Sequence, residues 1–410
     1  MMQCRHCGST EFIPFLDLGE APPSNSYLDA ADLTRPEKRY PLVIRTCTEC
    51  WLTQTEDFAD REEFFSGDYA YFSSFSKTWL DHARAYVETM RERFDLGPDS
   101  LVAEVAANDG YLLQYVRELG IPCYGIEPTR STAEAARAKG IEIVEEFFGQ
   151  ELGSRLAAEG RQADLIAANN VLAHVPDIND FVHGFAELLK PSGVATFEFP
   201  HLYEMVRGNQ FDTAYHEHYS YLSLLAVNRI FSANGLTVFD VETTPHHGGS
   251  LRVFACRSDQ ADHEVSQAVQ AMLETEREAG MHGQTFYAGF QVGAEAARDG
   301  FQAFLADARK AGLKVAAYGA AAKGNTLLNF AGADAGDIAF VVDRNPAKQG
   351  RYMPGSRIPI VGEDRLISDQ PDRMVILPWN IETEIRSQLA YISDWGGQFV
   401  TAIPTLRIRS

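Results

Sequence analysis

SLVAEVAANDGYLLQYV (residues 100–116) reads as a strand, a tight loop and a helix. The strand carries β-type residues and ends at Glu104-Val105. The loop is Ala106-Ala107-Asn108-Asp109-Gly110, and Leu112, Leu113, Val116 and Leu119 then recur at helical spacing. Working outward, PCYGIEP (122–128) is a second strand ending at Glu127, about 20 residues past the loop, the βαβ distance at which a carboxylate meets ribose hydroxyls. IEIVEEFF (141–148) is a third strand and ADLIAANNVLAHV (163–175) a fourth that runs into a loop. LLKPSGVATFEFP (188–200) is a helix end, a turn and a fifth strand. Strands alternating with helices predict an α/β fold with a mostly parallel sheet. The loop departs from the dinucleotide pattern G-x-G-x-x-G: Ala106 and Asn108 stand at the first two glycine positions and only Gly110 remains. Asn tolerates the left-handed backbone, so the turn is kept.

LKVAAYGAAAKGNTLLNFAG (313–332) repeats the strand–loop–helix theme, and strands follow at IAFVV (338–342), RMVI (373–376) and QFVT (398–401). A second Rossmann-like unit is expected here, after a long helical run broken near Gly280 to Gly283. Gly319 to Thr326 is one residue from a P-loop, with Asn325 where the lysine would stand. Lys323 at the helix start, with Arg344, Lys348 and Arg351 in the next loop, suits a diphosphate.

The N-terminal segment holds Cys4-x-x-Cys7 and Cys47-x-x-Cys50. Two short-spaced thiolate pairs supply the four soft ligands of a tetrahedral zinc, and with no open position the ion is structural. Between them lie the turn-rich DLGEAPPSNSYL (17–28) and a strand, YPLVIRTC (40–47). Then comes DYAYFSSFSKTW (68–79), from which Tyr69, Tyr71, Ser73 or Ser74 could reach a neighbouring cleft.

The chemistry concentrates in FDTAYHEHYSYLS (211–223), a loop leading into the helix SLLAVNRIF (223–231). So many polar heads can be buried only if they pair. The spacing is not that of a zinc peptidase, and a metal on His216 and His218 would lack a third ligand. TPHHGGSLRVFAC (244–256) is a glycine turn into a strand, with Arg252 placed to cap an anion.

The chain has 410 residues, 36 Lys plus Arg, 57 Asp plus Glu and a net charge of −21. That length suits two or three domains. A chain this acidic is repelled by phosphate backbones, which argues against nucleic acid as a partner. No run of apolar residues suits a membrane helix and no signal peptide is evident, so a cytoplasmic protein, monomeric or a small homo-oligomer, is expected.

Taken together, EVAANDGYLL, GIEP, NNVLAHVPD, LLKPSG, YHEHYSYLS, HGGSLR, YGAAAKGN and LPWN resemble the class I S-adenosylmethionine methyltransferases. More narrowly they resemble the nucleotide-sugar C-methyltransferases of deoxysugar biosynthesis. The resemblance implies three parts: a zinc ribbon-like domain (1–75), a methyltransferase domain (76–257) and a Rossmann-like nucleotide-sugar-binding domain (258–410). It implies a donor site lined by Glu104, Ala106, Asn108 and Gly110, with Glu127 on the ribose and Asn169 and Asn170 near the methionine part. It also implies C-methylation of a nucleotide-linked 4-keto-6-deoxysugar, of the thymidine type, through an enolate. His218 is then the expected base and Glu217 orients an imidazole or holds a sugar hydroxyl. His174 is a donor near the carbonyl, and Tyr215 and Tyr69 are sugar contacts or donors. Tyr71, His216, Arg252, Lys323, Asn325 and Arg344 are expected substrate contacts. An O- or N-methyltransferase on such a sugar, a nicotinamide oxidoreductase and a non-catalytic zinc-bearing nucleotide-sugar-binding protein are the alternatives. The oxidoreductase is disfavoured by the degraded glycine loop, the non-catalytic protein by the intact 215–219 cluster.

Overall fold

A computed structural model describes residues 2–56, 58, 72–260 and 263–409 of the chain. Three sheets organise it. The central one has the order β10-β11-β8-β7-β4-β5-β6. Its strands are β4 (Val102–Val105), β5 (Cys123–Ile126), β6 (Glu142–Val144), β7 (Ala163–Asn169), β8 (Leu189–Pro200), β10 (Leu236–Thr244) and β11 (Ser250–Arg257). The five from β8 to β6 are parallel, while β11 and β10 add antiparallel at one edge. Every residue of β4 is buried, as a parallel strand covered on both faces requires.

The loop after β4 explains its odd composition. Ala106 and Asn108 both take left-handed backbone, at φ 60° and 49°. Gly110 (φ 75°) cannot be replaced in kind: a Cβ there would fall 2.3 Å from Ile141 Cδ1 and 3.3 Å from Ala136 Cβ. The one glycine kept is thus the one that lets the loop pack against the next βα unit.

The C-terminal sheet has the order β14-β13-β12-β15-β16-β17, from β12 (Val315–Tyr318), β13 (Val341–Val342), β14 (Ile360–Val361), β15 (Arg373–Ile376), β16 (Gln398–Thr401) and β17 (Arg407–Arg409). Only β17 is antiparallel. The helical run before it breaks as expected, into Gln267–Glu278, Gln284–Ala288 and Phe290–Lys310, with Gly280 at φ 85°.

The N-terminal sheet, β1 (Phe12–Ala21), β2 (Tyr40–Cys47) and β3 (Thr53–Thr55), differs from expectation in two ways. β1 runs through residues read as turn formers: Leu16 and Leu18 are buried while Asp17, Gly19 and Glu20 are exposed. The alternation of a strand is hidden there by turn-forming residues on its outer face. Its fourth strand, β9 (Ser220–Tyr221), comes from the YHEHYSY segment, pairing Thr53 with Tyr221 and Gln54 with Ser220.

The parts share a core. Phe15 of β1 stacks on Phe290 with ring centroids 4.6 Å apart, and Trp51 on Tyr287 at 5.7 Å. A buried carboxylate, Glu276, accepts from the backbone N–H groups of Leu224 (2.6 Å) and Leu225 (2.7 Å) and pairs with His201 at 2.7 Å. It caps the helix Leu224–Ala233 that follows the polar segment. Among the described residues, no helix is long and apolar enough to cross a membrane.

Candidate active site

The carboxyl ends of β4, β5 and β7 meet where an open parallel sheet binds its ligand. Glu127, after β5, accepts from Asn108 N and Thr129 N, both at 2.9 Å. The Asn108 side chain accepts from Ser73 N at 2.9 Å, and Ser74 bonds Asp109. The hydroxyl-rich segment therefore does reach this loop, while Tyr69 and Tyr71 lie outside the described residues. Glu104 is fully buried, and the buried Tyr111 side chain interacts with both Glu104 and Asn169. Burial pushes the Glu104 carboxyl well above the usual range. A buried acid, an amide and a tyrosine at the ends of these strands make this end of the sheet polar.

Beside β7 stands the imidazole group. His218 is buried, and its Nδ1 lies 2.9 Å from the Thr213 carbonyl oxygen. A carbonyl only accepts, so Nδ1 carries the proton and Nε2 presents a lone pair. His174 makes the same bond to the Glu217 carbonyl at 2.8 Å. Burial lowers both pKa values, His174 to about 4. His174 is therefore neutral near pH 7 with its lone pair on Nε2, which corrects the expectation that it donates to a carbonyl. The two rings stand 4.6 Å apart, and Tyr215 packs 3.9 Å from His218. Glu217 is buried, with Oε1 held by Asn25 N and Nδ2 at 3.3 and 3.2 Å, and Oε2 makes no hydrogen bond among the described residues.

The C-terminal unit enters through Lys323. Its ammonium lies 4.8 Å from the Trp379 ring centre and donates to the His247 carbonyl at 3.4 Å. Trp379 Nε1–H donates to buried Asp212 at 2.7 Å, and burial raises that carboxyl to about 6.

Other expected substrate contacts are committed elsewhere. Arg252 is buried in ion pairs with Glu198 (2.7 Å) and Glu242 (3.3 Å), so its charge is already neutralised. His82 and His246 complete that group with Glu198, their ligand atoms within 4.8 Å of one another. The Arg252 guanidinium already sits on Glu198, where a metal cation would have to bind. His216 Nε2 bonds the Tyr40 carbonyl at 3.1 Å, tying the segment to the N-terminal sheet. Asn325 is buried and donates to Ser24 O at 2.5 Å, which makes it a strut. Arg344 is exposed beside Glu363 at 3.7 Å, Lys348 donates to Ala320 O at 2.7 Å, and Arg351 faces Asp29 at 3.5 Å. The expected basic cluster thus does not converge; of its members, only Lys323 points to the imidazole group. Sequence reasoning missed Asn25, Asp212, His247 and Trp379. The doubled His-Gly pair at 246–249 and the Pro-Trp-Asn at 378–380 were the available signals.

The four cysteine sulfurs lie within 4.8 Å of one another, Cys4 to Cys50 at 3.4 Å and Cys7 to Cys47 at 3.6 Å. Tetrahedral Zn–S bonds of about 2.3 Å require sulfurs about 3.8 Å apart, so these residues fit the ion.

A methyltransferase-type sheet with a polar donor site, joined to a four-thiolate unit, defines the class: a methyltransferase with a zinc-binding domain. The sequence model described as a methyltransferase domain matches residues 81–241, that of a zinc binding domain residues 4–65, and that of a C-methyltransferase C-terminal domain residues 245–404. Over 408 residues the chain is 35% identical to C-methyltransferase NovU of Streptomyces niveus, covering 100% of this chain and 97% of that one. A ubiquinone biosynthesis O-methyltransferase of a Chelativorans species is 30% identical over 94 residues, 23% of this chain and 37% of that one. Among solved structures, magnesium protoporphyrin IX methyltransferase of Synechocystis with bound SAH covers 44% of this chain and 83% of its own, at 15% identity and TM-score 0.35. The chain belongs to the C-methyltransferase family. It is an S-adenosylmethionine-dependent enzyme with a zinc-binding N-terminal domain.

Proposed function

We propose that the enzyme C-methylates a nucleotide-linked 4-keto-6-deoxysugar, of the thymidine type, for branched deoxysugar biosynthesis in the cytoplasm. The observation that carries this reading is the His218–Thr213 hydrogen bond, which directs the lone pair of a buried imidazole out of Nε2. A carbon beside a ketone is acidic enough for such a base. His218 Nε2 takes the proton, the C–H electron pair becomes a C=C bond, and the carbonyl π pair moves to oxygen as an enolate. When bound, S-adenosylmethionine supplies the electrophilic methyl group that this carbon accepts. Glu104, Ala106, Asn108, Gly110, Glu127, Asn169 and Asn170 hold the donor; the buried acid Glu104 at the strand end supports this because it suits a cation. Glu217, whose Oε2 makes no hydrogen bond among the described residues, binds a sugar hydroxyl, and Tyr215 packs the sugar against His218. Lys323 faces the anionic part of the nucleotide. An O- or N-methyl transfer would need no carbon base, and the C-methyltransferase relatives argue against it.

Incubation with S-adenosylmethionine and a panel of nucleotide 4-keto sugars is expected to add one methylene unit by mass. Loss of one carbon-bound deuterium from labelled substrate should accompany it. No mass gain with any 4-keto sugar would refute the reading.

A further inference from the structure

An enolate carries its charge on oxygen, and a site that forms one must place a hydrogen-bond donor there. His218 and His174 cannot supply it from their inner nitrogens: each spends its Nδ1–H on a backbone carbonyl and keeps a lone pair on Nε2. His247 has the opposite arrangement. Its Nε2 receives the Asn170 side-chain N–H at 3.3 Å. The ring proton therefore sits on Nδ1, which makes no hydrogen bond among the described residues, and the ring is half-buried.

The backbone shows that this ring is held in place. His247 is left-handed at φ 56°, ψ 17°, a conformation that a residue with a side chain keeps only when its surroundings enforce it. Its carbonyl is held by Lys323 at 3.4 Å and the edge of Trp79 closes on its ring, with centroids 5.1 Å apart. Behind it, a Cβ on Gly248 would fall 2.6 Å from Trp379 Cη2, and one on Gly249 2.8 Å from Glu204 Cγ, so the turn is wedged. Asn170, which sets the ring's tautomer, directly follows β7, and the turn after it, Leu172–His174, carries the ring that stands 4.6 Å from His218.

We propose that His247 is a catalytic residue whose Nδ1–H donates to the substrate's carbonyl oxygen as His218 removes the neighbouring proton. This rests on the enolate reading above. The step balances within the pair: one C–H bond breaks, one N–H bond forms on His218, and the charge left on oxygen is met by the His247 N–H, which is not transferred. Burial holds the His247 pKa near 4, so the ring donates as a neutral imidazole, and its one lone pair, on Nε2, is taken by Asn170.

Two substitutions isolate the donor from the backbone. Gly and Asn both accept the left-handed conformation; Asn keeps an N–H near the ring Nδ1 position and Gly does not. The test uses the full-length zinc-loaded enzyme, the nucleotide 4-keto sugar that it methylates, and S-adenosylhomocysteine in place of the methyl donor. Deuterium uptake from D2O at the acidic carbon is followed by NMR, and methyl transfer is measured separately. His247→Gly is expected to slow both by about 10²–10³-fold, with the melting temperature and S-adenosylhomocysteine affinity close to wild type. His247→Asn is expected to stay within about tenfold of wild type. A Gly variant that exchanges at close to the wild-type rate, an Asn variant as damaged as the Gly variant, or loss of S-adenosylhomocysteine binding in the Gly variant would overturn the assignment. A wild type that neither exchanges nor methylates any 4-keto sugar would bring down the enolate reading itself, and is told apart because there the variants are not the cause.

Discussion

His218 Nδ1 lies 2.9 Å from the carbonyl oxygen of Thr213, five residues earlier in the same segment. That bond fixes the imidazole tautomer before any substrate arrives. A short turn, Phe211–Thr213, supplies the carbonyl, and the strand β9 just after His218 locks the segment to the N-terminal sheet.

The first prediction concerns His218. His218→Ala is expected to lower methyl transfer and substrate deuterium exchange by about 10²–10⁴-fold, the usual contribution of a positioned base. Isothermal titration should show S-adenosylmethionine affinity near wild type, because the residues proposed to hold the donor lie at the carboxyl ends of β4, β5 and β7 and in the loops after them. Because burial lowers the His218 pKa, the acid limb of the wild-type kcat/KM profile should fall below the usual imidazole range. A His218→Ala enzyme with more than about a tenth of wild-type exchange would remove it from the base role.

Stability should also depend on pH in a stated direction. His174 and His247 have folded pKa values near 4, against about 6.5 for a free imidazole. Between those values the unfolded chain binds a proton that the folded chain refuses, so stability is lost as pH falls from about 6.5 toward 4, by up to about 1.4 kcal/mol per pH unit per imidazole. Asp212 opposes this. Its carboxyl is raised to about 6 in the fold, so its contribution is lost as pH rises from about 4 to 6. Buried Glu104, Glu127 and Glu217 are also raised and act in the same sense as Asp212, so the imidazole contribution is read from the difference between wild type and a single-imidazole variant. His174→Asn should flatten the slope by about one proton; an unchanged slope would show that His174 takes up its proton without unfolding.

What the sequence made legible was local spacing. The paired Cys-x-x-Cys turns, the strand–loop–helix at 100–116 and the break near Gly280 each depend on residues a few positions apart, and each is present. The side chains misjudged were those whose partners lie far away in sequence. Arg252 looked available because Glu198 is 54 residues off, and Asn325 because Ser24 is 301 residues off. Lys348 looked like a phosphate ligand, but its stem is buried and its ammonium holds the Ala320 carbonyl. The tautomer of His174 was equally out of reach, since it depends on where the Glu217 carbonyl points.

Gly110 gives a test of the donor loop. Gly110→Ala adds a methyl at φ 75°, 2.3 Å from Ile141 Cδ1 and 3.3 Å from Ala136 Cβ. The Ile141 methyl can swing aside, but the Ala136 Cβ cannot. Strained backbone and overpacking together should cost about 2–4 kcal/mol. Because the strain falls on the loop that carries Asn108, S-adenosylmethionine binding should weaken as well. Thermal melts and titration calorimetry measure the two effects. A variant with wild-type melting and binding would show that the loop is more yielding than its packing implies.

The zinc unit should matter to catalysis without touching the donor site. Its sheet holds the catalytic segment by two routes: β9 pairs with β3, and Thr55 Oγ1 donates to the His218 carbonyl at 3.2 Å. β3 begins three residues after Cys50, so the metal knuckle sets the position of the strand that supports His218. Removing zinc with a chelator, or substituting Cys47→Ser, is expected to lower the melting temperature by several degrees. Methyl transfer should fall further than S-adenosylmethionine affinity, because the 215–221 segment loses its support while the loops after β4, β5 and β7 keep theirs. Metal content, methyl transfer and donor binding measured on one preparation check the order of loss. Donor binding that fails in step with activity would show that the zinc unit supports the whole fold rather than the base.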